Sequence, residues 1–294
     1  MDKIIVIVGP TGVGKTKLSV ELAKKYDGEI INADSMQIYK DLNIGTAKIT
    51  EEEKENIPHY LFDIKNVLED YSIYDYQKDS RMVIDDIVKR NKIPIMVGGT
   101  GLYVKSSLYD YKLNLNTSND TYNDISTEDL YDKLLKIDKD IIIDKNNRRR
   151  IIRALNYYKD NNESISKNKT NKLLYDAIFI GLTTNRDNLY NIINKRVDKM
   201  IDNGLIEEVK YFYDKNIHTK PLMGGIGYKE LYKYFDKEIS KEEAIELIKK
   251  NSRHYAKRQY TFFNNSLPVT WFNTDYDNFN NTVNEVSKYI DSLM

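Results

Sequence analysis

Apolar positions along the chain follow two rhythms. Continuous apolar runs of strand length occur at "KIIVIVG" (Lys3 to Gly9), Glu29–Ala33, Pro94–Val97, Ala177–Leu182 and Val269–Phe272. Between them the period lengthens. "KTKLSVELAKKY" places Leu18, Leu22 and Tyr26 at helical spacing, and Asp27-Gly28 ends the pattern. Ser72 is placed to cap a helix predicted from Ile73 to about Asn91. Ser240 and Glu243 form a capping-box pattern, opening a helix on which Ile245, Ile248, Ser252, Tyr255 and Gln259 keep one face. Strands alternating with helices predict an α/β fold: a mostly parallel sheet with helices on both faces, its core built on five strands.

Two long stretches hold no strand-like run. The first, from about Ser106 to Leu174, contains the polar, turn-rich "NLNTSNDTYND" (Asn114–Asp124) and the basic "KNNRRRIIR" (Lys145–Arg153), and reads as a helical insertion. The second runs from Arg186 to Phe263. The expected organisation is a core from residues 1–108 and 175–294, with a helical extension over about 186–263 and a helical insertion domain at 109–174.

Composition narrows the chemistry more than the fold. At 294 residues, 40% of them hydrophobic, the chain can bury a sizeable core. No apolar run approaches the roughly 18 residues of a membrane helix, and Met-Asp-Lys followed at once by a strand is no secretory signal, so no membrane association and a cytoplasmic location are expected. Cysteine is absent and the three histidines, His59, His218 and His254, are scattered, so any metal must be held by oxygens. Lys plus Arg and Asp plus Glu balance at 45 each, so the summed charge gives no sign of a polyanion partner and local charge must decide. The 24 tyrosines are spread through every segment and carry no functional weight.

"GPTGVGKT" fits the phosphate-loop pattern G-x-x-x-x-G-K-[ST] and sits between an apolar strand and an amphipathic helix, as that motif requires. Gly9, Pro10, Thr11, Gly12, Val13 and Gly14 form the loop, whose glycines let backbone N–H groups converge on phosphate oxygens at the helix start. Lys15 supplies a point charge, and Thr16 can hold Mg²⁺. The fold class is therefore read as P-loop NTPase-like.

A phosphate loop does not name the reaction. Nucleotide hydrolases and many kinases of this class end a second strand in a carboxylate that holds the metal. Of the five predicted strands, only Glu29–Ala33 ends in one, Asp34. Ligands of open α/β sheets bind outside the carboxyl ends of the strands, so Asp34, Thr100 and the loop should share one crevice. From the residues alone, Asp34 could ligate metal, cap the following turn or act as a base.

Eight ordered blocks carry a resemblance. "GPTGVGKT", "INADSMQIYKDLNIGTAK", "PHYLFDI", "VGGTGLY", "RRIIRAL", "RVDKMIDNGLIEEV", "GGIGYKEL" and "YAKRQYTFF" occur in the order and at roughly the spacing seen in the bacterial tRNA dimethylallyltransferases, which the chain resembles over about residues 3–272. The resemblance implies transfer of a dimethylallyl group from dimethylallyl diphosphate to N6 of the adenine 3′-adjacent to the anticodon, in tRNAs reading codons that begin with U. It assigns Asp34 as general base, Arg196 to the diphosphate and reacting adenine, and the loop with Thr16 and Mg²⁺ to the leaving diphosphate, with no ATP consumed. Read from the residues alone, Arg196 is a solvated helix charge. The extruded adenine and its neighbours would meet Asp34, Ser35, Met36, Gln37 and Thr100. Phosphates of the anticodon stem-loop would meet the basic segments with Arg149, Arg150 and Arg153, and the helix on which Lys250, Arg253 and Lys257 share a face. Gly225, Lys229, Lys257, Arg258 and Gln259 complete the implied tRNA surface, and a monomer is expected.

Departures from the family pattern are local. The stretch before "RRIIRAL" is short, with Tyr122 near the place of a frequent arginine; Phe262 stands where a tryptophan is usual; "PHY" replaces a double histidine, leaving His59 without an assigned role; and the zinc module of eukaryotic relatives is missing. Two other readings fit parts of the sequence. A nucleotide or small-molecule kinase would use ATP at the loop with an Arg-rich lid, and a prenyltransferase could act on free AMP or ATP.

Overall fold

The computed structural model describes residues 3–111, 120–166 and 172–294. Strand β1 (Lys3–Val8) leads into helix α1 (Lys15–Tyr26), β2 (Gly28–Asn32), the short α2 (Glu51–Lys54) and the two-residue β3 (His59–Tyr60). Then come α3 (Ile73–Lys89), β4 (Ile93–Val97), α4 (Gly101–Leu108), α5 (Thr127–Ile137) and α6 (Arg148–Asn161). After β5 (Asp176–Thr183) the chain is helical through α7 (Arg186–Asp202), α8 (Leu205–Asp214), α9 (Lys220–Gly224), α10 (Tyr228–Phe235) and the long α11 (Lys241–Ser266), before β6 (Thr270–Asn273) and α12 (Phe279–Asp291). Among the described residues no helix is long and apolar enough to cross a membrane.

By their contacts the residues divide into two compact units, 1–108 with 175–294, and 109–174. The larger unit holds a six-stranded sheet in the order β3-β2-β4-β1-β5-β6, every pair parallel. Strands β1 and β2 are buried almost throughout, which is why they read as unbroken apolar runs rather than alternating ones. Ile5, Ile7, Ile30, Ile95 and Ile180 of the sheet pack with Leu18 and Leu22 of α1 and with Val286 and Ile290 of α12 in one core. Three parallel strands, β1, β2 and β4, thus end side by side where the phosphate loop begins.

One expectation needs correction. The sheet has a sixth strand, β3, which two residues of intermediate burial could not announce; it is held by pairing, Ile30 with His59 and Ile31 with Tyr60. Helix α1 ends where expected: Asp27 caps it in the left-handed conformation at φ 48°, and Gly28 opens β2. Helix α12 lies beyond the reach of the family resemblance, although Phe279, Val283, Val286 and Ile290 repeat at helical spacing. The capping boxes at Ser72 and Ser240 form, the former with Asp75 and the latter with Glu243.

In the smaller unit, α5 and α6 pack through Leu130, Leu134, Ile151, Ala154 and Leu155. Arg148 donates to the carbonyls of Ile125 and Tyr122, so this member of the basic run is a structural tie. Of the turn-rich stretch Asn114–Asp124, residues 114–119 lie outside the described residues.

Candidate active site

The loop after β1 is shaped by its glycines. Gly14 sits at φ 90°, and a Cβ there would lie 2.7 Å from the Phe279 ring, so a side chain is excluded by conformation and by space. It leaves α1 without a side-chain cap, and the orphan N–H groups of the first turn face whatever anion the crevice receives. Lys15 Nζ folds back to the Pro10 carbonyl at 2.6 Å. Desolvation, reinforced by the nearby Arg196 and opposed by Asp34, drops the Lys15 pKa to about 7. A lysine in that state is short of negative charge, which a diphosphate supplies.

At the end of β2, the buried Asn32 side chain fixes the turn: its Nδ2 donates to the carbonyls of Asp34 and Leu61, and its Oδ1 accepts from the Asp34 N–H. Asp34 Oδ1 accepts from the Met36 N–H at 2.9 Å, so the carboxylate does cap its own turn. The other carboxylate oxygen has no hydrogen bond among the described residues and belongs to the same crevice as Lys15 and Arg196. Capping therefore engages one oxygen and leaves the second for chemistry. Beside it, Thr100 accepts from the Ser35 N–H at 3.0 Å and its own N–H donates to the Ala33 carbonyl, locking the ends of β2 and β4 together.

The crevice over these strand ends has a volume of about 310 Å³. Its polar members include Thr11, Lys15, Thr16, Asp34 and Arg196; Ile49, Phe62, Ile193, Val197 and Met200 give it an apolar wall. Arg196 comes from α7 and is no solvated helix charge: burial lowers its pKa, Asp34 opposes that shift, and its guanidinium reaches the Thr46 carbonyl at 3.4 Å. The reading from local pattern is thereby overturned, because α7 turns this face toward the sheet. Gln37 Nε2 donates to the same carbonyl at 3.1 Å. From α11 come Ile248, Ser252, Tyr255 and Gln259, four of the five positions that share its predicted face; Ile245 does not line the crevice. Gln259 Nε2 donates to the Gly99 carbonyl at 3.1 Å. Burial and the Asp34 charge push Tyr255 up to about 12.

Of the remaining sequence candidates, all but Gly225 lie outside the crevice. Gly225 lines the crevice but is buried, and its close neighbours are Met36 and the Pro221 carbonyl of this same chain. Lys229 lies 3.7 Å from Glu230. Lys257 and Arg258 are exposed on α11, with Arg258 over the Tyr255 ring. Arg149, Arg150 and Arg153 are exposed on α6 in the smaller unit. Phe262 packs on Gly101, whose added Cβ would lie 2.1 Å from its ring.

Sequence reasoning missed Thr46, Tyr228 and Tyr255 as parts of the site, and left His59 unassigned. The His59 Nδ1 lies 2.7 Å from the Ile57 carbonyl and burial lowers its pKa, so the neutral ring keeps its proton on Nδ1 and a buried, unpartnered Nε2. No cluster of three or more His, Cys, Asp or Glu that could hold a metal occurs among the described residues.

Known proteins bear on this geometry. The IPP transferase family model matches residues 37–266. A protein named tRNA dimethylallyltransferase from Anoxybacillus flavithermus is 50% identical, over 99% of this chain and 96% of its own. A solved tRNA isopentenylpyrophosphate transferase from Bacillus halodurans is 42% identical at a TM-score of 0.78, over 99% of this chain and 96% of that one. A eukaryotic dimethylallyltransferase solved acting on tRNA is 31% identical at a TM-score of 0.81, over 92% of this chain and 74% of that one.

Proposed function

Because this chain belongs to the IPP transferase family, we propose that it is a tRNA dimethylallyltransferase, moving the dimethylallyl group of dimethylallyl diphosphate to N6 of the adenine 3′-adjacent to the anticodon. The observation that carries the reading is the meeting of the phosphate loop, Arg196 and the half-free Asp34 carboxylate in one crevice with an apolar wall. The tRNAs concerned read codons beginning with U, and the enzyme works as a cytoplasmic monomer.

The adenine amine is a poor nucleophile because its lone pair is delocalised into the ring. As the N6–C1 bond forms, its proton passes to Asp34; as the C1–O bond breaks, the electron pair leaves with the diphosphate. General-base assistance of this kind is worth about 10²–10⁴-fold. Lys15, Arg196 and the N–H groups at the start of α1 stabilise the charge gathering on the leaving group. The apolar wall receives the prenyl chain and excludes water from the allylic carbon. Ser35, Met36 and Gln37 face the extruded base.

The donor set suits Mg²⁺: the Thr16 hydroxyl lines the crevice with no hydrogen bond among the described residues, the place from which the hydroxyl of a phosphate-loop Ser or Thr ligates Mg²⁺ beside phosphate oxygens. When bound there, Mg²⁺ would neutralise charge on the diphosphate oxygens.

The test is label transfer from radioactive dimethylallyl diphosphate with Mg²⁺, offered in parallel unmodified tRNA with an A-A-A run at the target, free AMP and free ATP. Label on tRNA alone is expected. Label on a free nucleotide would replace the acceptor, and ATP turnover without label anywhere would replace the reaction with phosphoryl transfer.

A further inference from the structure

Glu208, in the first turn of α8, belongs to the "LIEEV" block to which no chemistry has been assigned. Its carboxylate is fully engaged. One oxygen accepts from the N–H groups of Asn43 at 3.0 Å and Ile44 at 2.7 Å; the other accepts from the Gly45 N–H at 3.0 Å and the Tyr228 hydroxyl at 2.6 Å. Three successive backbone N–H groups converging on one anion form a nest, and the start of α8 adds its dipole to hold the charge. The anion here is part of the protein. Gly45 is pressed so closely on the Tyr228 ring that a Cβ would lie 2.7 Å from it.

The residue next to this nest is Thr46, whose carbonyl receives both the Arg196 guanidinium and the Gln37 amide. We propose that Glu208 is a positioning residue for prenyl transfer: by fixing the 43–45 backbone it aims the Thr46 carbonyl, and through it sets Arg196 against the diphosphate and Gln37 against the adenine. This rests on the transferase reading. It also gives one physical reason for three separated blocks of sequence, since "NIGTAK" supplies the nest, "LIEEV" the anion and "GGIGYK" the tyrosine that buttresses both. Glu208 does not line the crevice, whereas Gly45 and Thr46 do, so Glu208 acts on it through the backbone.

The test compares Glu208→Gln, Glu208→Asp and Tyr228→Phe. Glutamine keeps the length but turns one acceptor oxygen into an NH₂ that faces N–H donors; aspartate keeps the charge; phenylalanine removes one bond of the four. Hydrogen exchange over residues 42–48, followed by mass spectrometry on the ligand-free protein, should accelerate in Glu208→Gln with exchange elsewhere unchanged. With dimethylallyl diphosphate and tRNA, kcat should fall roughly 10–100-fold, as for displaced catalytic groups, by more than KM for the diphosphate rises. Aspartate should recover part of the loss, and Tyr228→Phe should lose less than Glu208→Gln. Unchanged exchange over 42–48, unchanged kcat despite faster exchange, or a loss of kcat tracking protein-wide exchange would each overturn the proposal. A wild-type enzyme that transfers no label would instead overturn the functional reading, while the exchange experiment would still report on the nest.

Discussion

At the scale of single residues, Asp34 does two jobs that substitution can separate. Asp34→Asn keeps an oxygen for the Met36 N–H, so the turn should survive, yet the amide cannot take a proton. Transfer should fall by about 10²–10⁴-fold while tRNA affinity holds, read by single-turnover labelling beside a binding titration. Retained turnover would leave Asp34 as a cap alone. Lys15 makes a prediction in pH. Free, it loses its proton above about pH 7; beside a diphosphate it regains it, so binding takes up a proton at pH 8. Affinity for dimethylallyl diphosphate should weaken as pH rises above 7, by at most about tenfold per unit, and calorimetry in two buffers of different ionisation enthalpy should count the proton. Lys15→Ala should abolish the uptake. Asp34 and Lys15 were both legible because each sits at a fixed offset from a strand end. Arg196 was legible only through the family resemblance and not from its local pattern, since only packing tells a buried helix charge from a solvated one.

Elements carry a different kind of information. The capping boxes of α3 and α11 could be read because a cap is a contact over three residues. Helix α12 is local in pattern yet global in effect: Phe279 at its start packs against Gly14 of the phosphate loop, and Val286 and Ile290 join the core of the sheet. Gly14→Ala should therefore strain both the loop and this helix, costing about 1–3 kcal/mol of stability by thermal or urea unfolding and weakening diphosphate binding. If it costs neither, the contact with Phe279 is adjustable. Strand β3 shows the opposite case, an element made by its neighbour. Two residues have no pattern of their own, and His59 and Tyr60 become a strand only because β2 offers an edge.

The whole molecule is electrically neutral, yet it is expected to bind a polyanion. Arg149, Arg150 and Arg153 on α6, and Lys257 and Arg258 on α11, are exposed, so the positive charge is arranged locally and hidden in the sum. Replacing Arg149, Arg150 or Arg153 by Ala should lower the salt dependence of tRNA binding, measured by fluorescence anisotropy across KCl concentrations. The logarithmic slope should shrink by about 0.7–0.9 for each phosphate that the variant no longer neutralises. Dimethylallyl diphosphate binding should not respond. A slope unchanged in all three would remove α6 from the tRNA surface.

By itself the sequence determined the parallel α/β core, the phosphate loop, the placement of Asp34 at a strand end and the helical character of 186–263. Each depends on residues within a turn or a strand of one another, where spacing alone decides which groups meet. The resemblance apart, only the tertiary structure decided that Arg196 enters the crevice, that Gly225 packs on Met36 inside the chain, and that Glu208 closes on the backbone at 43–45. Those facts depend on which face of a distant helix loses its water. A polar residue on an amphipathic helix looks the same in sequence whether solvent or another segment satisfies it, and the difference is set by elements more than a hundred residues away.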